Sequence, residues 1–263
     1  MARILTYNVH RCLGTDGKLS PARIAAVIDS CRPDIVALQE LDVRRLRSGG
    51  VDQAHEIARE LGMRHVHFHP ALRVMEEEYG DAILTTRPSR VIKADALPGL
   101  ATLIPHEPRG AIWISVEVDG GEVQIINTHL GLRRAERQAQ VETLLGPEWL
   151  GHKNCREPVI LIGDFNSVPR SLPYQKLAGR LRDARTGISR GRQATFPSRF
   201  PVLCLDHVFV GGPLRLVRAE TIRTPLARIA SDHLPLLVEF FLPAQDPSRS
   251  RRAVQSPAEA ERS

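Results

Sequence analysis

The chain has 263 residues, 42% hydrophobic, 25% charged and 5% aromatic, a balance that excludes wholesale disorder and rod-like collagen or coiled-coil architectures. No stretch approaches the roughly eighteen consecutive apolar residues of a membrane span. The net charge of +6 rests on 32 arginines against four lysines spread along the chain, so it admits an anionic partner without specifying one.

The N-terminal residues lack a signal peptide's apolar region and read at once as a strand around Ile4-Leu5, so a cytoplasmic protein is expected. Ser20-Pro21 caps a helix over Arg23 to Ser30, with Ile24, Val27 and Ile28 on one face. A strand run follows at Ile35 to Leu38. Asp52 then caps a helix through Leu61 that Gly62 ends, and a short strand lies at Ile83-Leu84. Gly110 to Val118 alternates with period two, and Asp119-Gly120-Gly121 turns it into Glu122 to Thr128, which predicts a β-hairpin. Weaker helical stretches cover Arg134 to Leu145 and Leu172 to Leu181, on either side of a strand at Val159 to Ile162. Arg182 to Arg192 reads as an arginine-rich loop, before strand runs at Val208 to Val210 and Leu234 to Phe241. Pro243 to Ser263 has no aromatic residue and one branched aliphatic, Val254, and is expected to be a disordered tail. Mixed sheets with helices packed outside, plausibly a two-sheet sandwich, are the expected core over residues 1–242. Cys12, Cys31, Cys155 and Cys204 form no CxxC pair, which fits unpaired thiols in a reducing compartment.

One pattern recurs: apolar runs end in acids, amides or histidines. It appears at Asn8 and His10, at Glu40, at His129, and at Asp164 and Asn166. Asp206-His207 precedes another run, and Asp232-His233 does the same. Any one of these is ordinary turn or cap chemistry, but their repetition exceeds what turns require. Strands meeting at one rim would gather carboxylates, carboxamides and imidazoles there. Oxygen ligands without thiolates select a hard cation, Mg²⁺ or Mn²⁺. A further carboxylate beside an amide can orient and deprotonate water, and an aspartate-backed histidine can stabilise a phosphorane-like transition state. That set suits in-line hydrolysis of a phosphate ester.

TYNVH, LQE, NTHLG, GDFNS, LDHVFV and SDHLPL together resemble, in order, the signature of the endonuclease/exonuclease/phosphatase superfamily, over residues 3–241. The resemblance implies a four-layer αββα sandwich of two packed mixed β-sheets flanked by helices, with the site at one rim. It also implies roles. Glu40 is the principal metal ligand, with Asn8 and Asp232 close to the ion or its waters. Asp164 activates the attacking water with help from Asn166. His233 contacts the phosphate, backed by Asp206; His129 is a second phosphate-contacting histidine, and Arg109 lies near the phosphate. His10 stands where several nucleases carry an acid or amide, and Asp81 where asparagine is frequent.

Three functions stay open: a nuclease-like phosphodiesterase, a phosphatase or lipid head-group phosphodiesterase, and a non-catalytic phosphate-binding module. The expected partner is a phosphate-ester substrate, with nucleic acid one candidate, on a monomeric protein without stable membrane insertion. Three arrangements are predicted. Glu40, Asp164, Asp232 and Asn8 share one pocket. Asp206 bonds His233 while His207 faces away. Asp81 bonds His129 and keeps it cationic.

Overall fold

The computed structural model describes residues 1–100, 107–188 and 193–243. The expected tail, from residue 244 onward, and the end of the expected arginine-rich loop, residues 189–192, lie outside them. The elements run β1 (Ala2–Asn8), α1 (Pro21–Asp29), β2 (Ile35–Val43), α2 (Gln53–Leu61), β3 (His65–Val74), β4 (Glu77–Thr85) and β5 (Ser89–Ala96). They continue with β6 (Gly110–Val118), β7 (Gly121–His129), α3 (Arg134–Leu145), β8 (Val159–Asp164), α4 (Leu172–Ala178) and β9 (Arg182–Asp183). The last are β10 (Asp206–Gly211), β11 (Arg215–Thr221), α5 (Pro225–Ala230) and β12 (Leu236–Phe241).

The strands form two six-stranded mixed sheets, ordered β11-β12-β1-β2-β4-β3 and β5-β6-β7-β8-β10-β9. Both are mixed: β1 pairs parallel with β2 and β7 with β8, and the rest pair antiparallel. A buried layer that includes Ile4, Ile35, Ile114, Ile125, Ile162 and Leu236 lies between the sheets. A second cluster joins the outer face of the first sheet to α1, α2 and α5, through Ile24, Ile28, Ile57 and Ala230. A third joins the second sheet to α3 and α4, through Trp113, Val141, Leu144 and Leu177. The result is the expected four-layer α/β sandwich, driven by burial of one apolar face on each element.

Local chemistry sets the helix ends as the sequence predicts. Ser20 accepts from the Arg23 N–H and Asp52 from the His55 N–H, while Gly62 ends α2 at φ 64°. The helix expected through Leu181 stops at Ala178. The first residues of the expected arginine-rich loop form β9 on the edge of the second sheet, beside β10.

Period-two alternation explains where the polar residues go. Along β1, Ala2 and Ile4 face the other sheet, so Thr6 and Asn8 do too; along β7, Val123 and Ile125 are followed on the same face by Asn127 and His129. Ile160 and Ile162 lead to Asp164 on β8, and Val210 and Val208 lead back to Asp206 on β10. The inner apolar layer therefore gives way to polar side chains at one end of the sandwich.

Candidate active site

Strand register aligns the first three groups. His129 pairs with Asp164 across β7 and β8, and Asp164 pairs with Asp206 across β8 and β10, so one row of the second sheet carries all three. Gly163 makes this row possible. It holds φ 143°, and a Cβ there would lie 1.9 Å from the Thr128 carbonyl oxygen of the neighbouring strand.

The first sheet supplies the facing groups. Between β2 and β4 the register shifts so that Gln39 and Glu40 stand opposite Asp81 alone, a β-bulge with Glu40 at φ 63°. The bulge re-aims Glu40 toward Asn8 at the end of β1. Beneath it, Gln39 Nε2 donates to Asn127 Oδ1 at 2.8 Å, and Asn127 Nδ2 donates to the Leu38 and Ala82 carbonyls, both at 3.0 Å. These buried amides join the two sheets directly under the pocket. Neither was singled out from the sequence, although LQE and NTH contain them; a buried amide and a surface amide look alike in a single sequence.

The predicted groups converge. Asn8 Nδ2 donates to Glu40 Oε1 at 2.9 Å and to Asp164 Oδ2 at 3.0 Å. The same Asp164 oxygen lies 3.5 Å from His129 Nε2 and 3.6 Å from His233 Nε2. Asp232 adjoins the cluster: its charge raises the Glu40 pKa, and His10 Nδ1 lies 3.9 Å from its carboxylate. Ser231 Oγ ties this segment to the Asn8 carbonyl at 2.8 Å. Asn166, at φ 46°, donates through Nδ2 to the Leu130 carbonyl at 2.8 Å and has that nitrogen 3.1 Å from His129 Nε2.

The Asp206–His233 contact forms as expected, with Nδ1 2.9 Å from Oδ2. Burial alone would lower the His233 pKa, but the Asp206 and Asp164 carboxylates outweigh it and push it up to about 10. His233 is therefore an imidazolium at neutral pH. Phe196 packs against its ring with centroids 4.8 Å apart, and Thr195 Oγ1 accepts from the Leu205 and Asp206 N–H groups. His207 turns away, its ring beside Asp183 and Arg185 and its Nε2 on the Ser167 carbonyl at 2.8 Å.

Two expectations are corrected. Asp81 does not bond His129; it accepts from the Glu40 N–H at 3.4 Å, and the His129 Nδ1 is taken instead by Arg109 Nη1 at 3.2 Å. A guanidinium can only donate, so Nδ1 carries no proton and the ring is the neutral Nε2–H form. Burial, then Arg109 and His233, hold its pKa well below the usual range. His129 is a neutral donor and not a second cation. Arg109 in turn is buried behind His129, with Glu107 2.8 Å away, so it reaches the pocket through the imidazole and not by direct exposure.

The set fits a divalent cation. Burial pushes the Glu40 pKa up, and Asp232 and Asp164 add repulsion that a cation would relieve. One oxygen of Asp206 is buried without a hydrogen-bond partner. Glu40 and Asp232 offer hard carboxylate oxygens with no thiolate nearby, the preference of Mg²⁺ or Mn²⁺. Asn8 contributes differently from a ligand here: its Oδ1 accepts from the His10 N–H at 3.0 Å, and its nitrogen clamps Glu40 to Asp164. Among the described residues, Asp164, Asp206 and His233 also lie close enough together to hold an ion, but the imidazolium of His233 opposes one there.

The model of the endonuclease/exonuclease/phosphatase family matches residues 5–233. The uncharacterised protein YbhP of Escherichia coli K12 is 32% identical over 177 residues, and the match spans 64% of each chain. Among solved structures, a Beutenbergia cavernae endonuclease/exonuclease/phosphatase is 23% identical with TM-score 0.69, covering 92% of this chain and 71% of its own. A mannosyl-6-phosphatase of Bacteroides thetaiotaomicron is 19% identical with TM-score 0.73, covering 92% and 100%. The catalytic domain of human Nocturnin, with sulfate bound, is 22% identical with TM-score 0.68, covering 91% and 93%. These structures share the fold.

Proposed function

The chain belongs to the endonuclease/exonuclease/phosphatase family, and from that premise we propose that it is a phosphodiesterase using Mg²⁺ or Mn²⁺ held by Glu40 and Asp232. One observation carries the reading: Asn8, His129 and His233 all direct a side-chain nitrogen to within 3.6 Å of a single buried oxygen, Asp164 Oδ2. A carboxylate so enclosed can hold one water in a fixed direction.

Burial pushes the Asp164 pKa up, opposed by His233 and reinforced by Asp206, which makes its carboxylate a stronger proton acceptor. The water oxygen bonds to phosphorus as its proton passes to Asp164, and the bond from phosphorus to the leaving oxygen breaks. His233, anchored by Asp206, presents its Nε2–H as a charged donor to a phosphate oxygen. Neutral His129 presents a second Nε2–H, its tautomer fixed by Arg109 at Nδ1. Both donors are positioned beforehand, so they cost little reorganisation as charge builds. The cation, when bound, supplies Lewis-acid stabilisation of the phosphate's negative charge. It also offsets the excess of carboxylates that would otherwise repel an anionic substrate.

The test is turnover of bis-p-nitrophenyl phosphate with Mg²⁺ or Mn²⁺. Asp164→Asn should lower kcat by about 10³-fold or more, with KM little changed. Wild-type turnover by Asp164→Asn, or hydrolysis of p-nitrophenyl phosphate in place of the diester, overturns the reading.

A further inference from the structure

The large apolar side chains left exposed are not evenly distributed. All but Met1, Val91, Val217 and Phe241 among the described residues lie on segments that leave the sheets at the end carrying Asp164 and Glu40. Strand direction fixes this. β7 and β8 end there and β10 begins there, so the segments holding Leu132, Val168, Phe200 and Val202 all emerge from that rim. On the first sheet, β2 runs past Glu40 to Val43 and pairs with the start of β4, which carries the β3–β4 turn at Met75 beyond the pocket. Leu132, Phe200 and Met75 are 73%, 79% and 91% exposed. A water-soluble ligand that binds only inside the pocket gives these tips no role.

The same rim is cationic. Arg133 and Arg134 follow His129, and Arg170 follows Asn166; all three are exposed and have no ion partner among the described residues. Arg199, next to Phe200, bonds only the Thr15 hydroxyl and carbonyl, which leaves its charge uncompensated. Outside the pocket's own carboxylates, acids of these loops are paired: Asp16 with Arg23, Glu76 with Arg44, and Glu78 with Arg73. Apolar tips interleaved with free guanidinium groups match a surface that is apolar below an anionic layer. Single-stranded nucleic acid would use aromatic stacking platforms, but the tips are aliphatic apart from Phe200.

We infer that this rim docks on an anionic phospholipid surface, with Leu132, Phe200, Val202 and Met75 entering the interfacial layer and the arginines meeting lipid phosphates. The docking itself does not depend on catalysis. Its corollary, that the phosphoester hydrolysed is membrane-resident, rests on the proposed function.

Co-sedimentation of the full chain with vesicles tests it, using phosphatidylcholine alone or mixed with phosphatidylglycerol. Binding should need phosphatidylglycerol and weaken with salt. Phe200→Ser combined with Val202→Ser should lower partitioning about tenfold, as should Leu132→Ser combined with Met75→Ser. Arg133→Ser with Arg134→Ser should remove much of the phosphatidylglycerol dependence. Val91→Ser with Phe241→Ser, both at strand positions away from the rim, should bind like wild type, and circular dichroism should show all variants folded. Asp164→Asn should sediment like wild type, so loss of turnover and loss of docking are read separately. Wild type that ignores both vesicles, or a Val91/Phe241 variant that loses binding equally, overturns the inference. So does a wild type that binds a single-stranded oligonucleotide through these rim residues but not the vesicles.

Discussion

His233 and His129 flank the same Asp164 oxygen, yet one is cationic and the other neutral: Asp206 and Asp164 outweigh burial at His233, whereas burial and Arg109 together keep His129 uncharged. The pH dependence follows from the sign of each shift. The His233 pKa is raised to about 10, so the stabilisation from its pairing is complete below about 6.5 and is lost as pH climbs through about 10. Activity that needs the imidazolium fades over the same limb. Asp206→Asn removes the largest raising influence and leaves burial opposed by Asp164 and Asp232. Its pH–rate profile should show the basic limb shifted to lower pH. An unchanged basic limb would show that His233 is not held charged by Asp206. For His129, Arg109→Gln should raise ring titration only in part, because burial is the larger cause, whereas Asp81→Asn should not raise it. Histidine ring-proton NMR distinguishes these outcomes, and a response to Asp81→Asn alone would restore the Asp81–His129 pairing.

At the scale of elements, the site depends on two local departures from regular sheet, the bulge at Glu40 and the close approach at Gly163. Gly163→Ala puts a Cβ against the Thr128 carbonyl between His129 and Asp164. It should destabilise by about 3 kcal/mol or more, seen as a fall of roughly 6–12 °C in Tm. Asn127→Leu strips two carbonyls and Gln39 of a buried partner and should cost about 1–3 kcal/mol in urea unfolding. Metal affinity should fall with it if the clip sets the bulge. The same scale explains what the sequence revealed. Strands buried on both faces, such as β1, β7 and β8, carry continuous apolar runs and are legible. The strands without such runs are β3, β5, β9 and β11, and each is the edge of its sheet. His65-Val66-His67-Phe68-His69 and Arg215-Leu216-Val217-Arg218 are half-covered and carry polar side chains to blunt the edge. The groups at strand ends were legible because polar residues interrupt an apolar stripe there. The partners of Asp81 and His129 were not, because Arg109 reaches His129 from β6's approach and no spacing in sequence encodes that contact.

For the whole molecule, stacking two sheets with their polar ends aligned places Asn8, Glu40 and His233 from one against His129, Asp164 and Asp206 at the other's end. No helix among the described residues is long and apolar enough to cross a membrane. Glu40 and Asp232 are proposed to hold a catalytic divalent cation. Calorimetric titration of chelator-treated protein with Mn²⁺, run beside diester turnover at each metal concentration, tests it most directly. Wild type should bind one Mn²⁺ with turnover rising in step, and Glu40→Gln should weaken binding and turnover together by about 10²-fold. Full turnover in excess chelator, or Mn²⁺ binding unchanged by Glu40→Gln, would show that Glu40 holds no catalytic ion.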